Sequence, residues 1–202
     1  MSRVRTPKTH QRLIEPLEKE EIKRLLAAIQ GQTMTAYRSR AMILLLLDCG
    51  LRVSELCSLE IDDVDLKGGW IRVREGKGWK ERKVPMGGVL RKALWQYSSQ
   101  RPQPLGGSKA FFLTEQGWSL TADRVRKILD HYAKKSKVEN VHPHRFRHTF
   151  ALHFLRNGGD PLTLRMLMGH TTLDMVNHYV KLASVDLQSV HAKASPADHL
   201  RL

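Results

Sequence analysis

Apolar residues recur every three to four positions along most of the chain and every two positions in one short stretch, and this change of period divides it into elements. Over 17–30, LEKEEIKRLLAAIQ puts Leu17, Ile22, Leu25, Leu26 and Ile29 on one stripe, with acids in the first turn, which predicts a surface helix. A second helix, mostly buried, fits 36–48 and ends at Gly50, and a short third fits 53–59. IDDVDL, GWIRVRE and KERKVPM then alternate with period two, separated by KGG and GKGW turns, which predicts a small antiparallel sheet over 61–86. Helical periodicity returns at 89–100, RPQPLGGSK reads as a loop, and FFLT as an isolated strand. Helices are expected at 121–135, 144–157, 161–168 and 172–180, with a last amphipathic piece near 184–193. The expected fold class is mainly α with one small antiparallel β-sheet, an α+β arrangement without internal repeats.

Composition narrows the class of partner. The 202 residues suffice for one sizeable domain or two very small ones, and 41% hydrophobic with 27% charged residues permits a real core. Lys plus Arg is 34 against 20 Asp plus Glu, a formal charge of +14, which favours a polyanion: nucleic acid or an acidic membrane face. The charge is spread over a basic arm or linker at 1–15, the 72–83 ribbon and the 124–147 stretch, more like a wrapping surface than a membrane patch. Cys49 and Cys57 cannot build a disulfide framework. The opening residues contain no apolar run of the secretory-signal kind, and the apolar block at 41–47 is far short of the roughly 20 residues that span a bilayer. A soluble, cytoplasmic, basic protein is expected.

Common enzymatic motifs are missing: the chain has no phosphate-cradling GxxxxGK[ST] loop, no HExxH and no CxxC. Acids are scarce beside the basic and histidine-rich segments, which speaks against a two-metal nuclease. Four other stretches carry candidate chemistry. In CGLRVSEL, Arg52 follows a helix-ending Gly50 and can point into a cleft or lie on the surface; Glu55 can orient that guanidinium or cap the helix. In REGKGWKERKVP, Lys77 sits at a hairpin tip with Lys80, Arg82 and Lys83 alongside, suited either to phosphate contact or to keeping a sheet edge solvated. In VHPHRFRHTFALHFL, Pro143 suits a first helical turn, and His144 and Arg147, three apart, share a face. His148 and His153 fit packing or supporting hydrogen bonds. A metal site on His142, His144 and His148 competes, opposed by the interleaved Arg145 and Arg147. In LMGHTTLDMVNHYV, Gly169 ends a helix, His170 lies at a turn, and Tyr179 follows nine residues later, either as a core aromatic or as a reacting group.

The order Arg, hairpin Lys, HxxR, GH, Tyr resembles the tyrosine recombinase (phage integrase) family over roughly 16–182. The resemblance implies that fold for 16–182, with Arg52, Lys77, His144, Arg147 and His170 activating a phosphate and Tyr179 as nucleophile. Phe146 stands where leucine is common in the family. Also implied are double-stranded DNA as partner, with Lys80, Arg82, Lys83 and Arg145 on its backbone, buried cysteines, and no metal or other cofactor. An upstream core-binding domain is typical of the family. The resemblance also implies that a C-terminal helix within 183–202 is exchanged between protomers, giving a tetramer on DNA and a monomer without it; the alternative is a helix that packs on its own domain.

These residues suit the reaction. Free tyrosine has a pKa near 10, so only about one in a thousand is phenolate at neutral pH, and nearby arginines would favour the anion. Two guanidinium forks can grip non-bridging phosphate oxygens and meet the charge that builds up in the transition state. Either histidine can donate to the phosphate or take the phenol proton, and Lys77 is placed to protonate the departing 5′-oxygen. The competing classes are a DNA-binding module without catalysis and a type IB topoisomerase.

Overall fold

The computed structural model describes residues 15–74, 81–169 and 174–183, together with 191, 195 and 197. Eight helices and one small sheet occur among them: α1 (Lys19–Ala27), α2 (Met34–Cys49), α3 (Val53–Ser58), β1 (Val64–Asp65), β2 (Trp70–Val73), β3 (Arg82–Pro85), α4 (Gly88–Gln100), α5 (Ala122–Ser136), α6 (Pro143–Arg156), α7 (Pro161–Met168) and α8 (Asp174–Ala183). The expected mainly α domain with one small antiparallel sheet is the fold observed.

α2 is the axle of the core. Thr33 caps its start by accepting from the Ala36 amide, and Ala41, Met42, Ile43, Leu45 and Leu46 are buried. It packs against α4 on one side and α6 on another. Gly50 ends it with φ 59°, and a Cβ there would stand 2.3 Å from the Phe150 ring. Only glycine meets both demands, so the close approach of α2 to α6 is written into that residue.

The sheet runs β1-β2-β3, all antiparallel. Ile71 pairs with Val84 on the core side, and Arg72 with Lys83 on the outer side. β1 is shorter than the alternation suggested, because 61–63 folds into a 3-10 turn held by Asp63 accepting from the Glu60 amide. The isolated strand expected at FFLT is reduced to single bridges, Glu60–Ala110 and Leu113–Ser119. The first helix begins two residues late. Leu17 is buried as the stripe requires, but its amide donates to Thr149 on α6 at 2.7 Å instead of entering a helix. The predicted helix at 184–193 and the arm lie almost wholly outside the described residues, within which no helix is long and apolar enough to cross a membrane.

Candidate active site at three converging helix ends

Arg52 occupies the N-cap of α3, two residues past Gly50, the C-cap of α2. Glu55 accepts from both its backbone amide (2.7 Å) and its guanidinium Nη1 (2.9 Å), so both roles open to Glu55 in the sequence are filled together. The Arg52 side chain remains 44% exposed, while Glu55 is buried at 9%. Glu55 also receives Nη1 and Nη2 of Arg82 at 3.0 and 2.9 Å. Burial opposes ionisation of this carboxyl, but the Arg82 hydrogen bonds and charge, the Arg52 amide and the Arg147 charge outweigh it and hold it below the ordinary carboxylate range.

Arg147, on α6, is 7% exposed. Its Nη1 donates to the Gly50 carbonyl and its Nη2 to the Met168 carbonyl, each at 2.6 Å. These carbonyls close α2 and α7, where partial negative charge accumulates and the oxygens have no partner further along their helices. Burial first, then the charge of Arg52, pulls the guanidinium down to about 10, with Glu55 opposing and Arg82 reinforcing. It stays protonated at neutral pH. Three guanidinium groups thus share the field of one carboxylate, leaving this region with an excess of positive charge.

Tyr179 comes from α8 and is 8% exposed. Its ring lies 5.0 Å from that of His148, centroid to centroid. Burial raises its pKa, and Arg147 pulls the other way without prevailing. The expectation that arginines lower the phenol's pKa is therefore met only in sign: in this conformation desolvation wins. His148 is buried with no hydrogen-bond partner for its Nε2 among the described residues, and burial, then His178, lowers its pKa. His144 lies exposed on α6, one turn before Arg147. Lys77, Lys80 and His170 lie outside the described residues.

Of the residues expected on the DNA surface, Arg82 is half-buried with its guanidinium turned inward and Arg145 is buried. All three nitrogens of the Arg82 guanidinium are engaged, Nε with the Leu167 carbonyl at 2.8 Å and both Nη with Glu55. Period two had the information, since register puts Arg82 opposite Val73 and on the same side as Val84. Arg145 faces α1. It donates to the carbonyls of Glu15, Pro16 and Glu139 and to both oxygens of Glu21, which clamps the chain entry onto α6. No local pattern announces that partnership, which spans 124 residues. Lys83 remains exposed on the outer sheet face.

Among the described residues no group of three or more His, Cys, Asp or Glu side chains is arranged to hold a metal ion. The triad considered from sequence is split: His142 caps α6 by accepting from the Arg145 amide, His148 is buried against Tyr179, and His144 faces outward.

The pattern of the phage integrase family matches residues 15–185. The tyrosine recombinase XerC of Pelotomaculum thermopropionicum is 37% identical over 202 residues, covering 96% of this chain and 66% of that protein. A crystal structure of XerA recombinase superposes with a TM-score of 0.76 at 32% identity, covering 90% of this chain and 65% of that one. The Tn1549 transposon integrase in complex with circular intermediate DNA gives a TM-score of 0.73 at 26% identity, covering 84% and 63%. The chain thus spans about two thirds of the length of the relatives it matches.

Proposed function

The chain belongs to the phage integrase family and has the fold of a tyrosine recombinase catalytic domain, and on that premise we propose that it cleaves and rejoins DNA strands at specific sites through a 3′-phosphotyrosine intermediate. The observation that carries the assignment is the convergence of Arg52, Arg147 and Tyr179 from three helices on one region of excess positive charge. Arg52, the more exposed guanidinium, grips the scissile phosphate first, and Arg147 meets the charge that develops in the transition state. Of His144 and His170, one donates to a non-bridging oxygen and the other takes up the Tyr179 phenol proton. The Tyr179 oxygen bonds to phosphorus as the bond to the 5′-oxygen breaks, and Lys77 supplies the proton that oxygen takes up. The ester conserves the energy of the phosphodiester, so a 5′-hydroxyl of another strand can reverse the step without ATP or metal.

Tyr179 starts from a desolvated pocket beside His148, so cleavage requires it to move toward the phosphate and so gain the full benefit of the arginines. Lys83 and Lys80 meet flanking phosphates of double-stranded DNA, and binding falls steeply with salt. The protein works in the cytoplasm as a tetramer on DNA and a monomer off it. The tail beyond Ala183 docks on a neighbouring copy, in the apolar groove of about 770 Å³ lined by Ile22, Leu47, Met86, Phe150, Phe154 and Leu167. Two of the groove's walls, α6 and α7, are the helices against which α8 packs. Deleting 184–202 should leave single-strand cleavage intact and abolish strand exchange; unchanged exchange overturns the docking.

A nicked suicide duplex tests the chemistry. Wild type should accumulate a covalent protein–DNA adduct in EDTA, and Tyr179→Phe should form none. A wild-type protein that binds the duplex but never becomes attached to it overturns the proposal.

A further inference from the structure

The polar contacts around the pocket form a closed circuit. Arg147 joins the Gly50 carbonyl to the Met168 carbonyl. The preceding carbonyl, Leu167, accepts from Arg82 Nε. Arg82 reaches Glu55 with both Nη, Glu55 holds the guanidinium and amide of Arg52, and two residues of backbone return to Gly50. Two links are covalent, Gly50 to Arg52 and Leu167 to Met168. Arg82 is the link that the sheet contributes.

We propose that Arg82 is a positioning residue for strand cleavage, setting the spacing and orientation of the Arg52 and Arg147 guanidinium groups by tying β3 to α3 and to the end of α7. The inference rests on the recombinase assignment above and adds to it a residue that does not touch the DNA. Glu55 is shared. One of its oxygens accepts from Arg52 Nη1 and Arg82 Nη1, the other from the Arg52 amide and Arg82 Nη2. Without a planar fork on the far side, the carboxylate keeps its two Arg52 bonds but loses its tie to β3, so carboxylate and Arg52 guanidinium can shift together. The Leu167 carbonyl would lose its donor one residue from the carbonyl that orients Arg147. β3 also continues the segment that carries Lys77, so the same anchor fixes where that hairpin is rooted. Lysine can replace the charge of Arg82 but not its three-point geometry.

The test compares wild type with Arg82→Lys, which keeps a cation opposite buried Glu55 and so limits unfolding. Adduct formation on the suicide duplex is followed in single turnover at saturating protein, beside DNA affinity and thermal stability. Arg82→Lys should slow cleavage by about 30-fold or more while affinity stays within about 3-fold, a loss in the chemical step with binding preserved. In an Arg52→Ala background the same substitution should slow cleavage by clearly less than about 30-fold, because the part that acts through Arg52 is lost and only the part that acts through Arg147 remains. A merely structural role predicts the full 30-fold in both backgrounds, and that result overturns the proposal. So does an Arg82→Lys protein that cleaves at the wild-type rate, or one whose only defect is weaker DNA binding, the mark of a phosphate contact. If Arg82→Lys does not fold, the doubly neutral Glu55→Gln/Arg82→Gln variant replaces it, removing the buried pair together, with the same expectations. Absence of adduct in wild type refutes the recombinase assignment itself, which no behaviour of the Arg82 variants alone can do.

Discussion

α6 carries two buried arginines two residues apart, and they are built for opposite purposes. Arg145, 8% exposed, is met by both oxygens of Glu21 and by three backbone carbonyls. Arg147, 7% exposed, reaches two helix-ending carbonyls and lies in the field of two further guanidiniums and one carboxylate. A turn of 200° around one helix separates a locally balanced cation from a cation in a surplus. Arg145 anchors the start of the chain. Burial first, and then the charge of Arg52 with Arg82 reinforcing it, pulls the pKa of Arg147 down to about 10, and an incoming anion would relieve both. Burial alone therefore does not tell a structural arginine from a functional one; the tally of charge around it does.

Exchanging the loss between the two sites is the strongest way to break this contrast. Arg147→Gln should lower adduct formation at saturating DNA by about a thousandfold, close to 4 kcal/mol of transition-state stabilisation. Folding stability should suffer less than at position 145, because removing Arg147 relieves repulsion with Arg52 and Arg82 even as two carbonyls lose their donor. Single-turnover trapping and urea unfolding of the same variant check both halves. If Arg147→Gln cleaves within tenfold of wild type, the positive surplus is not catalytic.

Arg145→Gln should show the converse. Removing one partner of a buried, hydrogen-bonded ion pair destabilises a protein by about 3 kcal/mol. Here it also strips donors from the segment entering α1, so the urea midpoint should fall clearly. Cleavage at saturating DNA, measured where the variant is still folded, should stay within a few-fold of wild type. Glu21→Gln should reproduce part of the destabilisation, and the double variant should be less unstable than the two losses summed, since each alone leaves a charge without its counterpart. Additive losses would mean that Arg145 and Glu21 do not act as a pair.

The same two residues measure what the sequence discloses. Helix and strand periods were readable because they come from which side of an element must avoid water. That alone locates all eight described helices and the sheet, and it assigns Arg52 and Tyr179 to separate elements. Boundaries slipped where tertiary bonds replaced local ones, as at Leu17, whose amide is satisfied by Thr149 across 132 residues. Side-chain destinations were harder. Arg82 could have been read inward from its register with Val84, yet its charge suggested solvent. Arg145 could not have been read inward, since Glu15, Pro16 and Glu21, to which it donates, lie more than 120 residues before it. His148 carries no signal for its tilted ring contact with Tyr179, because the two meet only when α8 folds back onto α6.

The smallest expected effect concerns pH and the apolar end of the site. Burial, reinforced by the charge of His178, depresses the pKa of His148, so the folded protein holds this imidazole neutral where the unfolded chain, near 6.5, would already take up a proton. The unfolded state then binds more protons than the native state on acidification, and stability must fall as pH drops from about 6.5 toward 5.5, by at most about 1.4 kcal/mol per pH unit for one proton. His142, also depressed by burial and by His144 and Arg145, contributes in the same direction. Glu55, held below the ordinary carboxylate range by its arginines, remains ionised throughout this interval and adds no slope. Comparing urea midpoints at pH 7.5 and 5.5 for wild type and His148→Gln isolates the imidazole under Tyr179. The variant should flatten the slope but not abolish it, because His142 remains. An undiminished slope in His148→Gln would assign the acid sensitivity to the α6 cap and leave the imidazole beneath Tyr179 with no part in it.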